Sequence, residues 1–184
     1  AGRDGHPAEC LLFYSFGDKQ KQESMIDKSD GPRNEEQIKR NKRNLYKMMR
    51  FCENDVDCRR RLTLAYFGED FDQKECRGTC DNCAFKGGSE MRDMTPQALD
   101  LLRIVTDLSP TGNLTAKDTI DVYHGTKLAA AKSSFASHPL YGAQKGSGKL
   151  KRGDSERVLH YLMIHYVLEE ECRTNTMGFS SYYL

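Results

Sequence analysis

No stretch of apolar residues in this 184-residue chain approaches the ~20 needed to span a bilayer. No signal-peptide pattern opens it, so a secreted, disulfide-framed protein is not expected. Hydrophobic residues are scarce, 38% against 30% charged. Cores built from so few must be small, and small cores often rely on a staple such as a metal. The five histidines show no metal spacing among themselves, and His160 and His165 are expected in surface or core roles. Asn113-Leu114-Thr115 matches a glycosylation sequon, but nothing else looks secreted and it is read as chance. Ala143–Leu150 (AQKGSGKL) lacks the first glycine and the Mg²⁺-binding Ser or Thr of a P-loop, and no apolar strand runs into it. It is read as a basic loop. Net charge is nearly absent, +1, and by itself predicts no nucleic-acid partner. A local absence says more. From Val122 to Gly153 there is no Asp or Glu, while Lys127, Lys132, Lys145, Lys149, Lys151 and Arg152 supply six cations. Such a stretch can hold phosphate even when the total charge is close to zero.

The apolar run Cys10–Phe16 (CLLFYSF) is expected to be a buried strand, too short to form a core alone and so the last strand of a larger domain. A short helix is expected over Lys19–Lys28, with a breaker at Ser29–Asn34. Ile38, Leu45, Met48, Met49 and Cys52 recur at helical spacing. Asn54 is placed to cap a second helix carrying Val56, Leu62, Ala65 and Tyr66 and ending near Gly68. Together the two helices read as an antiparallel hairpin. Cys76–Cys83 reads as an irregular loop and Phe85–Arg92 as a linker. Thr95-Pro96 signals a helix start with Thr95 as the cap, and Ala98, Leu101, Leu102, Val105 and Leu108 form its buried face. Further helices are expected over Ala116–Tyr123, from Thr126, and over Asp154–Ile164, the last with Val158, Leu159 and Leu162 inward. His138–Gly153 is loop-like. Val167–Arg173 and Phe179–Leu184 read as two strands. The expected fold is mainly α with small β: a helical-hairpin metal-binding subdomain, then a winged helix closed by a β-hairpin wing.

Seven cysteines are an odd count, and four fall in the order Cys58, Cys76, Cys80, Cys83. Cys76-x3-Cys80-x2-Cys83 lets one loop wrap an ion, and zinc wants four tetrahedral ligands. Cys58 and Cys52 are the candidates for the fourth. Cys58 is preferred, because its neighbours Arg59, Arg60 and Arg61 are polar while Cys52 continues the apolar stripe of the first helix. Four cysteines close such a site to water, so the zinc is expected to be structural rather than catalytic.

Ala1–Gly5 (AGRDG) resembles the end of the last conserved helicase motif of RecQ proteins. Tyr46, Cys52-Glu53-Asn54, Cys58-Arg59-Arg60, Leu64–Glu69 (LAYFGE) and Cys80-Asp81-Asn82-Cys83 resemble the zinc subdomain of the Bloom-type RecQ helicases. The region after Arg92 resembles their winged helix, and Glu156-Arg157, Gly178-Phe179 and Ser180-Ser181-Tyr182 look like fungal members. The resemblance implies one Zn²⁺ on Cys58, Cys76, Cys80 and Cys83. It implies that Arg3 matches the arginine that senses ATP, with no ATPase site in this stretch and no activity expected from it alone. It divides the chain into residues 1–30 as a remnant of the second RecA-like lobe, 31–90 as the zinc subdomain and 91–184 as the winged-helix (RQC) domain. The parent would be a nuclear, ATP- and Mg²⁺-dependent 3′–5′ DNA helicase of recombination, replication and repair. It would act on duplexes, forks, Holliday junctions or quadruplexes, with topoisomerase and recombination proteins as partners through regions outside this chain. DNA contacts are expected from Thr126, Lys127, Lys132, Lys145, Lys149, Lys151 and Arg152. A strand-separating wing is expected with Asn175, Thr176 and Met177 at its turn. The alternative is a zinc-containing winged-helix transcription regulator. It is disfavoured because Leu128–Ala131 offers no base-reading side chains.

Overall fold

The computed structural model describes residues 6, 8–28, 34–85, 87, 90–111, 113–146, 149–177 and 180–184. Arg3 lies outside the described residues. The chain forms two compact units, Ala1–Asp55 and Val56–Leu184.

In the first unit, Cys10–Phe16 is not the buried strand expected. It adopts no regular structure, and Leu11, Leu12 and Phe13 are exposed, Phe13 to 92%. A strand needs a ladder partner, and among the described residues none pairs with this run. Helix α1 (Asp18–Asp27) begins where the Asp18 carboxylate accepts hydrogen bonds from the Ser15 N–H (3.0 Å) and hydroxyl (3.2 Å). It packs on α2 (Glu35–Glu53). Between them Lys19, 2% exposed, pairs with Glu23 at 3.2 Å, and Glu23 accepts the Tyr46 hydroxyl at 2.9 Å. A buried ammonium needs such partners. Asn34 caps α2 by accepting the Gln37 N–H. Asn54 does not start the next helix as expected. Its extended backbone ends α2.

In the second unit, α3 (Arg59–Tyr66) starts after Cys58, which is its N-cap residue rather than part of the helix. Val56 is therefore off the helix and half-exposed. Cys76–Cys83 is more regular than expected. A 3₁₀ turn covers Gln73–Cys76 and a single helical turn, α4, covers Asp81–Ala84.

The core of this unit is α5 (Thr95–Leu108), α6 (Ala116–His124) and α9 (Arg152–Ile164). It buries Leu101, Ile104, Leu108, Ile120, Val122, Tyr123, Leu159 and Met163. Thr95 is the first residue of α5, not its cap, and Asp93 accepts its N–H at 2.9 Å. Thr115 and Asp118 form a reciprocal capping box at the start of α6, and Gly125 ends it at φ +63°. Two one-turn helices follow, α7 (Lys127–Ala130) and α8 (Ser133–Ala136). The chain then returns to the end of α6: Gly142 N–H reaches Val122 O (2.8 Å) and Gln144 N–H reaches Tyr123 O (3.0 Å).

Strands β1 (Glu171–Thr174) and β2 (Ser180–Tyr183) pair antiparallel, with Glu171 opposite Tyr183 and Thr174 opposite Ser180. β1 is shorter than expected because the Val167 and Leu168 N–H groups turn back to Leu162 O, closing α9 instead of entering the ladder. Beyond β2, Leu184 N–H bonds Leu114 O at 2.8 Å, tying the hairpin to the segment before α6.

Candidate metal centre and nucleic-acid interface

The cysteine loop is shaped by two successive left-handed residues, Arg77 (φ 50°) and Gly78 (φ 71°), which reverse the chain between Cys76 and Cys80. Thr79 locks the reversal, its hydroxyl (2.7 Å) and N–H (3.0 Å) both donating to Cys76 O. Cys80 caps α4, its sulfur accepting the Cys83 N–H at 3.4 Å. Two contacts clasp this loop to the segment bearing Cys58. Arg59 forms a bidentate pair with Asp81 (3.1 and 3.1 Å), holding that carboxyl below its usual range, and Asn82 Nδ2 donates to Asp57 O at 2.8 Å.

The result is a set of four sulfurs, Cys58, Cys76, Cys80 and Cys83, all within 4.8 Å of one another. Cys58 and Cys76 are buried, and Cys80 and Cys83 half-buried. Four sulfurs at ~2.3 Å from a tetrahedral ion lie about 3.8 Å apart, so a donor set gathered within 4.8 Å is of the number, kind and size that one zinc would take. The Thr79 hydroxyl pulls Cys76 down to about 6, and burial with the neighbouring thiols pushes Cys83 up to about 12. Metal binding needs the thiolate form, and a dication at this site would favour it at Cys83 against the effect of burial. Cys52, in α2, is not among the grouped sulfurs.

The basic stretch is more neutral in space than in sequence. Lys132 pairs with Asp118 at 3.1 Å and lies over the Phe135 ring. Arg152 pairs with Asp121 (2.7 Å) and Glu156 (2.9 Å). These carboxylates sit on α6 and α9, just outside the acid-free window, so the window alone does not reveal them. Only Glu156 carries a signal in its spacing, four residues beyond Arg152 on α9. Lys127, Lys145, Lys149 and Lys151 are exposed, with no carboxylate at ion-pair distance among the described residues. Thr126 caps α7 by accepting the Ala129 N–H at 3.3 Å. The loop that carries the lysines is pinned by Gln144, which donates to the Tyr123 hydroxyl (3.0 Å) and accepts Leu150 N–H (2.9 Å).

At the hairpin turn, Asn175 Oδ1 accepts the Met177 N–H at 3.0 Å, and the Met177 side chain is 81% exposed. Thr176 lies between them, exposed. Gly178 and Phe179 lie outside the described residues. On the strands, Arg173 holds Glu171 and lies over the Tyr183 ring at 5.1 Å.

Two family descriptions match this chain, RecQ zinc-binding over residues 16–84 and RQC domain over residues 88–184. The chain is 39% identical to the ATP-dependent DNA helicase hus2/rqh1 of Schizosaccharomyces pombe, over all of this chain and 13% of that protein. It is 34% identical to the ATP-dependent helicase SGS1 of Saccharomyces cerevisiae, again over all of this chain and 13% of the relative. It is 33% identical to the RecQ-like DNA helicase BLM of Xenopus laevis, over 93% of this chain and 13% of that one. The chain thus spans about an eighth of the length of these relatives.

Proposed function

The chain belongs to the RecQ family of DNA helicases, and from that premise we propose that it is the duplex-binding and strand-separating module of an ATP-dependent 3′–5′ helicase acting in recombination, replication and repair. The observation that carries this reading is the hairpin, whose turn presents an exposed Met177 from a chain matching the RQC domain. In this reading residues 1–30 belong to the second motor lobe, 31–90 form the zinc subdomain and 91–184 the winged helix. One structural Zn²⁺ sits on Cys58, Cys76, Cys80 and Cys83. ATP and Mg²⁺ act elsewhere in the parent enzyme, and Arg3 of this chain matches the motif arginine that senses the bound ATP. The parent works in the nucleus on duplexes, forks, Holliday junctions or quadruplexes. It meets topoisomerase and recombination proteins through regions outside this chain.

DNA is gripped through its backbone by Lys127, Lys145, Lys149 and Lys151, with Thr126 beside them. Such contacts position the protein and carry no sequence code. Lys132 and Arg152 join only by exchanging their carboxylate partners for phosphate. The turn then faces the first base pair. Opening one stacked pair costs roughly 1–2 kcal/mol, and an apolar side chain on the exposed base face offsets part of it. Methionine, unbranched and polarizable, suits that contact.

The test uses the complete helicase with Asn175→Ala, Thr176→Ala and Met177→Gly combined. Unwinding should fall severalfold, while duplex affinity and DNA-stimulated ATP hydrolysis stay within twofold of wild type, since binding and motor are separate from the wedge. Unwinding at the wild-type rate would leave the wing only a clamp.

A further inference from the structure

A second surface of the zinc-bearing unit is built in the opposite sense from the basic stretch. Gly68, at φ +81°, turns the chain at the end of α3. The Gly68 N–H then bonds Ala65 O (3.1 Å) and the Glu69 N–H bonds Leu64 O (2.9 Å). That double closure sends residues 69–72 back alongside the helix. Between them lies a cleft of about 590 Å³ with an apolar floor of Leu62, Ala65 and Phe71. Its rim is acidic: Glu69, Asp70 and Asp72 line it. The cation that lines it, Arg61, is already paired with Asp57. Asp72 is held in place by accepting the Lys74 N–H at 2.9 Å. Glu69 and Asp70 have no cationic partner among the described residues.

We propose that this cleft is a docking site for a short basic segment of a partner protein, which places an aliphatic side chain on the Leu62–Ala65–Phe71 floor and Lys or Arg against Glu69 and Asp70. Charge decides the class of occupant. A nucleic-acid backbone is repelled by three carboxylates whose neighbouring guanidinium is spent. A bare metal ion is not favoured, because these carboxylates form no close ligating group among the described residues. An apolar floor under an acidic rim matches a chain that alternates aliphatic and cationic residues. This site serves a protein partner and stands apart from the DNA-binding role proposed above.

The test is fluorescence anisotropy of this chain, zinc-loaded, with a labelled peptide of alternating Leu and Arg at low salt. Controls replace Arg by Glu, or Leu by Ser. The Leu/Arg peptide should bind, and both controls should bind at least about tenfold more weakly. Glu69→Gln with Asp70→Asn should weaken binding about tenfold, the sum of two exposed ion pairs. Ala65→Arg, on the exposed helix face, should abolish it. Amide shifts in NMR should be confined to residues 61–72, with zinc content and duplex affinity unchanged. Equal affinity in the variants, shifts outside 61–72, or comparable binding of the Glu peptide would overturn the proposal. So would concentration-dependent self-association abolished by Ala65→Arg, which would make the occupant a second copy. Should the double variant fail to fold, as judged by its melting curve, Ala65→Arg alone decides.

Discussion

Four sulfurs within 4.8 Å make the chemistry of single residues testable. A ligand removed from a closed tetrahedral site costs metal affinity steeply, and metal binding is part of the folding free energy. Cys58→Ser should therefore reduce bound zinc from one ion per chain to near none and loosen α3, read by metal analysis and far-UV circular dichroism. Cys52→Ser should leave the zinc in place. The reverse pattern would reassign the fourth ligand. A second residue-scale prediction concerns pH. Burial holds His124 below its ordinary imidazole range, with the Arg152 guanidinium adding to the effect, while His124 Nε2 contacts the buried Ser155 hydroxyl at 2.9 Å. A depressed pKa means that the unfolded chain takes up this proton first. Above the unfolded value near 6.5 the residue contributes no pH dependence, and below it stability falls until the folded pKa is passed. His124→Asn should flatten the loss of stability on acidification from about pH 6.5, measured as melting temperature against pH. An unchanged slope would show that His124 titrates as a free imidazole.

At the scale of elements, the turn after α6 is the most constrained joint of the winged-helix core. A Cβ on Gly125 would lie 2.8 Å from Gly142 Cα, and its φ of +63° already disfavours any side chain. Gly125→Ala should cost at least about 1–2 kcal/mol, seen as a lower denaturant midpoint. An unchanged midpoint would mean that the 138–144 segment does not close on α6. This region also shows what is legible in the sequence. The helix over Ala116–Tyr123, the helix start at Thr126-Lys127 and the apolar stripes of α5 and α9 are readable, because each is decided within a few residues. Cys10–Phe16 misleads, since an apolar run says strand only if another strand pairs with it. Asn54 misleads because an Asn can end one helix as readily as start the next. The shortness of β1 depends on Leu162 O capturing two N–H groups, a tertiary detail with no local signature. The four cysteines are legible because thiols have few other reasons to cluster. Asp118 and Asp121, which face Lys132 and Arg152, are not, because that pairing is made by folding; Glu156, four residues beyond Arg152 on the same helix, is legible by its spacing.

For the whole molecule, near-neutral charge with a few exposed lysines predicts binding that is electrostatic, modest and indifferent to sequence. The most direct measurement is a salt-dependent titration of this chain against forked, blunt and single-stranded DNA of matched length, for wild type and for Lys127→Ala, Lys149→Ala and Lys151→Ala. Duplex and fork should bind in preference to the single strand and equally for scrambled sequences. Each Lys→Ala should lower the slope of log affinity against log salt by about one unit for every phosphate that the lysine neutralises. Affinity that depends on the duplex sequence, or a slope unmoved by all three substitutions, would contradict the account.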